Sequence, residues 1–422
     1  MPSPTRIRTA NFDPFEFTYI LLGLKHRHTS VLLLIGLTIT AAMTIVTLAE
    51  GTFGSADDVR LVEDVQRIFL LERNTSSPAS FPLMRDSYSW FQAATIISGI
   101  LLLHRQWQHM ATCLSSLSES GAIVAPIHVK SNWISRMLLI DRLIAGVPPE
   151  KALDVFVTKL MNNLRRASIP LSLVMLFAAI VFARLLLLGQ EQGVFQVLSP
   201  DQLTGISRDR WLSDAYASWW AGTNHVIGHV LYNVLAVYAM LLILHFQIVG
   251  LIAVYVIAAT YFLVEPSADW LNRDGRFGWS PVSRTYRTVI WGNVLLALTL
   301  INVIIFLGVH NYTWILGLLG LYIIVVPLYI IVPWLVFRRV QTRAIEIRVL
   351  EVEAAISSRR LDPHTDFEAL GPFTTELERC QRMNIQPLRF RTVPWLSFVV
   401  LVLLPVFLAA AQIFSQLRFG GS

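Results

Sequence analysis

The sequence predicts an all-α, polytopic membrane protein, and three observations carry that reading. Of the 422 residues, 54% are hydrophobic and 15% charged, and the mean hydropathy is positive, a balance foreign to water-soluble domains. The apolar residues gather into long segments. Between those segments the Lys/Arg excess switches on and off along the chain, as it does when loops alternate across a bilayer.

A helix needs roughly 20 apolar residues to cross about 30 Å of hydrocarbon. Spans are expected over residues 30–49, 88–104, 168–188, 223–264, 287–308, 314–336 and 394–415. Residues 1–29 are expected to be cytoplasmic. They carry Arg6, Arg8, Asp13, Glu16, Lys25 and Arg27 and lack a signal-peptide pattern, so the first span should act as the signal. Residues 50–88 hold seven acids against four bases, 105–167 eight bases against four acids, and 189–222 four acids against two bases. Basic loops stay inside, so the first three spans alternate from a cytoplasmic N-terminus.

The fourth segment, 223–264, would be roughly 63 Å long as one helix. Ten bases in 337–393, with Arg338 and Arg339 directly after the sixth span, put that region inside. The short turn HNYT before the sixth span then puts 265–286 inside as well. An odd number of crossings must lie between 223 and 264. One long helix is expected, crossing around Asn224 to His245 and continuing into the cytosol, with the extension occupying about 246–286. The result is seven spans within 30–336 and 394–415, with an extracellular tail at 416–422. The sequons at Asn74 and Asn311 fall outside.

After Phe337, the residues Ile345, Val349, Val352 and Ile356 recur at helical steps, so the sixth span should run on as an amphipathic helix. The stretch LDPHTD interrupts it, and Asp366 can cap a second helix over FEALGPFTTELERCQRM. Residues 337–393 thus form a cytoplasmic helical segment.

The net charge of +6 sits beside the spans and serves topology, so no nucleic-acid partner is expected. Cys113 and Cys380 are the two cysteines and form no CxxC motif. No GxxxxGK[ST], GxGxxG, GxSxG or HExxH motif is present. His225 and His229 share a helix face and could hold two positions of a metal site. No acid lies within a turn, and His104, His245 and His310 have no mate at matching depth, so neither metal nor cofactor is expected and a non-enzyme is the first reading. The histidines can equally be polar groups facing a cavity.

Aromatic and amide residues crowd the start of the fourth helix: Trp211, Tyr216, Trp219, Trp220, Asn224, Tyr232 and Asn233. Aromatic walls with a few fixed polar groups suit a small organic ligand. Trp90, Phe91 and Tyr322 would form the opposing wall. An interfacial aromatic belt is the alternative for Trp219 and Trp220. Arg184 should snorkel to the surface, and Asn293 and Asn302 suit interhelical hydrogen bonds. In the last span Phe398, Val402, Pro405, Ala409 and Gln412 share one face, ending in Gln416. That face fits either a pore lining or a lipid anchor.

The layout resembles the seven-transmembrane chemoreceptor-like superfamily, which includes insect odorant and gustatory receptors and gustatory receptor-like proteins. Shared features are the inverted topology, the over-long fourth helix, the short loop before the sixth span, the cytoplasmic helices and the short last span. The text FEALGPFTTELERCQRMNIQPLRFRTVPWL leading into LPVFLAAAQIF is similar to the carboxy-terminal region of that family. Its signature there is Thr-Tyr, five apolar residues and Gln-Phe. Aligned on Gln412, this chain has Pro405 and Val406 for Thr-Tyr and Ile413 for Phe, so Gln412 alone carries over. The resemblance implies a homotetrameric, ligand-gated, non-selective cation channel in the plasma membrane. The last span would line the pore, the cytoplasmic helices would anchor the subunits, and the ligand would bind toward the outside. A small-solute transporter and a metal-dependent membrane enzyme using His225 and His229 are the alternatives.

Overall fold

Backbone in hydrocarbon must satisfy its own hydrogen bonds, and long helices do so locally. The computed structural model describes residues 7, 11–16, 29–70, 77–126, 128, 131–307, 312–359, 367–385 and 403–411. In chain order the helices are α1 Thr29–Ala49, α2 Leu61–Leu70, α3 Ser87–Glu119, α4 Trp133–Met137, α5 Ile140–Ile144, α6 Ala152–Gly189, α7 Phe195–Leu198, α8 Ile206–Ser218, α9 Val226–Leu263, α10 Ser280–Leu307, α11 Tyr312–Ser358 and α12 Phe367–Gln381. Residues 403–411 are also helical. The strands β1 Ile123–Val124 and β2 Glu265–Pro266 pair antiparallel.

Five helices are long and apolar enough to cross a membrane: α1, α6, α9, α10 and α11. The chain is therefore an all-α membrane protein. The second expected span lies in α3, which is less apolar because Ser89, Gln92, Thr95, His104 and Gln106 punctuate it. Those side chains are buried, since α3 is packed by α10, α9 and α1. A helix enclosed by its neighbours does not need a lipid-compatible surface.

The stretch 223–264 is a single helix of 38 residues from Val226, as the charge parity of its flanks requires. Its extension stops at Leu263, however, rather than reaching 286. The chain then forms β2 and a looped segment, and α10 begins at Ser280. The text SPVSRTYR is polar, but Ser283, Thr285 and Tyr286 are buried and Thr285 Oγ1 donates to the His109 carbonyl of α3 at 3.3 Å. Tertiary packing on α3 extends the helix backwards.

Consecutive long helices run in alternating directions. The start of α10 meets the end of α3, where Ser120 Oγ donates to the Gly278 carbonyl at 3.2 Å. At the other end, the start of α9 meets the segment that opens α3. Close approach at the start of α9 demands glycine, since a Cβ on Gly228 would lie 2.0 Å from the Trp220 carbonyl oxygen, and the fit is tight at Gly250, where a Cβ would lie 3.0 Å from the Tyr329 ring of α11.

Helix α11, 47 residues long, measures about 70 Å, so it outlasts any bilayer. Its far part holds α12: Arg348 donates twice to Glu376, at 2.9 and 3.1 Å, and Gln341 Nε2 donates to the Met383 carbonyl at 2.8 Å. The N-terminal stretch is not all free in solution, because Phe12 and Phe15 are buried and the Phe15 ring lies 4.8 Å from His245 of α9. Asn74, Asn311 and the Asp366 cap lie outside the described residues.

The loop between β2 and α10 is organised by one carboxylate. Asp274 accepts backbone N–H bonds from Arg276, Gly278 and Ser280 at 2.8–2.9 Å. Burial alone would raise its pKa, but these bonds favour the charged form and hold it below the ordinary value. A folded pKa below the unfolded one gives stability that is present above the ordinary carboxylate range and lost as pH falls through the folded pKa. Amide exchange across 269–280 should accelerate on acidification into that window, and Asp274→Asn should be fast at every pH with no further acid response.

Candidate functional site

Helix α3 starts with two adjacent charges, Arg85 and Asp86, that are 3% and 2% exposed. Buried charge is tolerated only where donors and acceptors are matched. For Arg85 the match is complete. Its guanidinium makes five hydrogen bonds, to both Asp64 oxygens at 2.8 and 2.9 Å, to Ser77 Oγ at 2.9 Å, and to the carbonyls of Pro78 at 2.7 Å and Ser80 at 2.8 Å. The cation also lies 4.7 Å from the Phe81 ring centroid.

Asp86 is the N-cap of α3, accepting from Ser89 N at 3.2 Å. Its Oδ2 accepts from Ser89 Oγ at 2.8 Å and from the indole N–H of both Trp219 and Trp220 at 2.9 Å. Each is a charge-assisted bond in a dry site. The two tryptophans follow α8, and their rings meet Tyr232 of α9 edge-on at 5.4 and 5.9 Å, while Phe195 closes on Trp219 at 5.8 Å. Trp219, Trp220 and Tyr232 are fully buried. This is a filled aromatic core around a carboxylate, with its rings in mutual contact.

The structure thus brings Trp219, Trp220 and Tyr232 together and adds Asp86, which composition did not single out. Tyr216 flanks Trp219 at 6.2 Å, and its hydroxyl accepts from Thr223 N at 3.3 Å. Trp90 is half-buried and donates to the Leu83 carbonyl at 3.0 Å, and Phe91 is half-buried beside it. Tyr322 is not part of this group; it packs with Ala297, Leu300 and Val326 in a separate cluster between α10 and α11. Helical spacing fixes which face a residue occupies but not which neighbour that face meets.

His225 and His229 do not converge on a common point as ligands. A ring nitrogen of His225 bonds the Ala217 carbonyl and one of His229 bonds the Ala221 carbonyl, both at 2.9 Å. They fasten the turn that carries the tryptophans to the start of α9. The other nitrogen of His225 faces Glu50 at 3.8 Å. Among the described residues, no group of three or more His, Cys, Asp or Glu could hold a metal ion.

In the last segment, Phe398, Val402 and Gln412 lie outside the described residues. Pro405 and Ala409 are buried, with Ala409, Val406 and Leu408 packed on the main core. Of the face expected to line a pore, the two described positions, Pro405 and Ala409, are covered by the chain's own helices. Leu403 and Phe407, 42% and 65% exposed, point away from them. No family model, curated protein or solved structure matches the chain.

Arg85→Met strands the Asp64 carboxylate in an apolar setting and should destabilise the fold by about 3–5 kcal/mol. Adding Asp64→Leu should recover the part of that loss due to the stranded carboxylate, and not the part due to the Pro78 and Ser80 carbonyls and the Ser77 hydroxyl, which stay unpaired. Thermal unfolding in detergent reads both steps. Equal instability of the single and double variants would show that the pair is not the source. By the same method Asp86→Ala, which orphans two buried indole donors at about 1–3 kcal/mol each, should lower the midpoint more than Asp86→Asn.

Proposed function

We propose that the chain is a subunit of a ligand-responsive, non-selective cation channel of the chemoreceptor-like kind, a homotetramer in the plasma membrane with seven spans and a cytoplasmic N-terminus. The observation that carries this reading is α9. One end of this unbroken helix bears Tyr232, locked against Trp219 and Trp220 around Asp86. The other end bears Tyr261, under the Arg339 guanidinium of α11 at 4.5 Å. A displacement at the aromatic cluster therefore has a rigid path to α11 and, through Arg348 and Glu376, to α12. A receptor needs such a link between ligand and gate, in two arrangements that a ligand can bias.

In this reading the closed cluster is the resting arrangement. A small, largely apolar molecule enters by parting Tyr232 from the tryptophan rings, while the indole N–H groups stay on Asp86. The pore face is the one available to neighbouring copies, through Leu403 and Phe407. Helices α11 and α12 form the cytoplasmic anchor.

Whole-cell recording from cells expressing the full chain tests the proposal. Phe407→Ala should change the cation permeability ratio or conductance severalfold, whereas Ala409→Ser, on the covered face, should act on expression before permeation. Absence of any constitutive or ligand-evoked current from a correctly inserted protein would sink the channel reading.

A further inference from the structure

A cavity of about 340 Å³ opens between the end of α9 and α11. Its lining includes Arg339, Arg343, Thr342 and Tyr261, with Glu346 at one side. Arg343 contacts Glu346 at 3.5 Å and Glu265 at 3.9 Å, both long for an ion pair. Arg339 stacks on Tyr261 and makes no ion pair with a carboxylate among the described residues. Among the described residues, no hydrogen bond or ion pair engages the in-plane donors of this guanidinium.

What leads to the cavity identifies the ligand. Ile324, Leu328, Ile331 and Leu335 are 65%, 46%, 51% and 51% exposed, and they recur at steps of four, three and four on α11. Arg339 is the next step of four, so all five lie along one stripe. From Ile324 to Leu335 the helix rises about 16 Å, close to half of a hydrocarbon core of about 30 Å. An exposed apolar stripe one leaflet long that ends at an uncommitted guanidinium matches one acyl chain with its phosphate. Arg338, stacked on Trp334 at 5.3 Å, marks the same depth as the interface.

We propose that this stripe on α11 and the cavity at its end bind an anionic phospholipid, with its chain along Ile324 to Leu335 and its phosphate between Arg339 and Arg343. Planar guanidinium forks suit phosphate oxygens, and basic pockets between spans are where anionic headgroups dock. The Glu346 carboxylate beside the cavity opposes the phosphate and tempers its affinity. The site is separate from the aromatic cluster and does not depend on channel activity.

Native mass spectrometry of the full chain, released from nanodiscs of phosphatidylcholine with phosphatidic acid, measures retained lipid. Phosphatidic acid should be retained at least fivefold over phosphatidylcholine. Arg339→Gln should abolish that preference while leaving the thermal midpoint near that of the parent. Glu346→Gln, at an exposed position, should raise retention severalfold and provides a second reading if Arg339→Gln misfolds. Millimolar inorganic phosphate should displace little lipid, because it lacks the chain. Equal retention of both lipids, saturation by inorganic phosphate alone, or weaker retention by Glu346→Gln would overturn the assignment. So would efficient self-crosslinking of Leu335→Cys, which would show a second copy on the stripe.

Discussion

The low dielectric of an apolar bundle makes every enclosed charge expensive unless its bonds are complete, and Arg85 and Asp86 are where this chain meets that constraint. Asp64 lies 21 positions before Arg85, and Trp219 and Trp220 lie 133 and 134 positions after Asp86. Satisfying two adjacent charges therefore gathers α2, the 77–86 segment, the end of α8 and the start of α9 at one point. Trp211 adds to the same knot, donating to the Ser77 carbonyl at 2.9 Å, and Ser218 Oγ accepts from Phe81 N at 2.9 Å. Loops that would otherwise be independent become one cap over the ends of α1, α3, α6 and α9.

The opposite end of the molecule is built from weaker material. Arg348 and Glu376 form a forked pair, but both are partly exposed, and the other ion pairs of α11 among the described residues are surface contacts, between neighbours on the helix or, for Arg343, out to Glu265 at 3.9 Å. Pairs of that kind contribute about 0–1 kcal/mol. What joins α9 to α11 is side-chain packing, with the Tyr329 ring against Gly250, the Tyr329 hydroxyl donating to the Gln247 carbonyl, and Arg339 over Tyr261. One end is pinned by matched buried charge and the other rests on packing and screened charge, so motion along the rods has an end at which to appear.

Much of this plan was legible in the text, because membrane helices advertise themselves by length and by flanking charge. The single long α9 followed from loop parity, the run of α11 past Phe337 from its periodicity, and α12 from an amphipathic stretch after LDPHTD. The seven residues by which α10 precedes the apolar run at 287 are not visible in the sequence, because Ser283 and Thr285 are polar yet buried against α3. The knot at Asp86 was invisible for a different reason. Its only local trace is a capping pattern, Asp86 three residues before Ser89 at the head of an apolar run, and no periodicity connects that position with Trp219. Likewise, the exposure of Leu403 and the burial of Ala409 depend on which helices lie alongside, which a helical repeat does not encode.

The saturation of Asp86 also limits what chemistry the aromatic cluster could recognise under the proposed function. A buried carboxylate among tryptophans looks like a counter-ion for an amine, since aromatic faces and a negative charge together favour cations. Here, however, Oδ2 already accepts two indole N–H bonds and a hydroxyl, and Oδ1 accepts a backbone N–H. A cationic ligand would have to break charge-assisted bonds worth about 1.5–3 kcal/mol each and leave the indoles unpaired. A neutral molecule need only part the rings of Trp219, Trp220 and Tyr232, whose edge contacts contribute about 0.5–1.5 kcal/mol each beyond burial. In the proposed receptor, the same interaction that holds the cap together would select against amines and in favour of uncharged, largely apolar ligands.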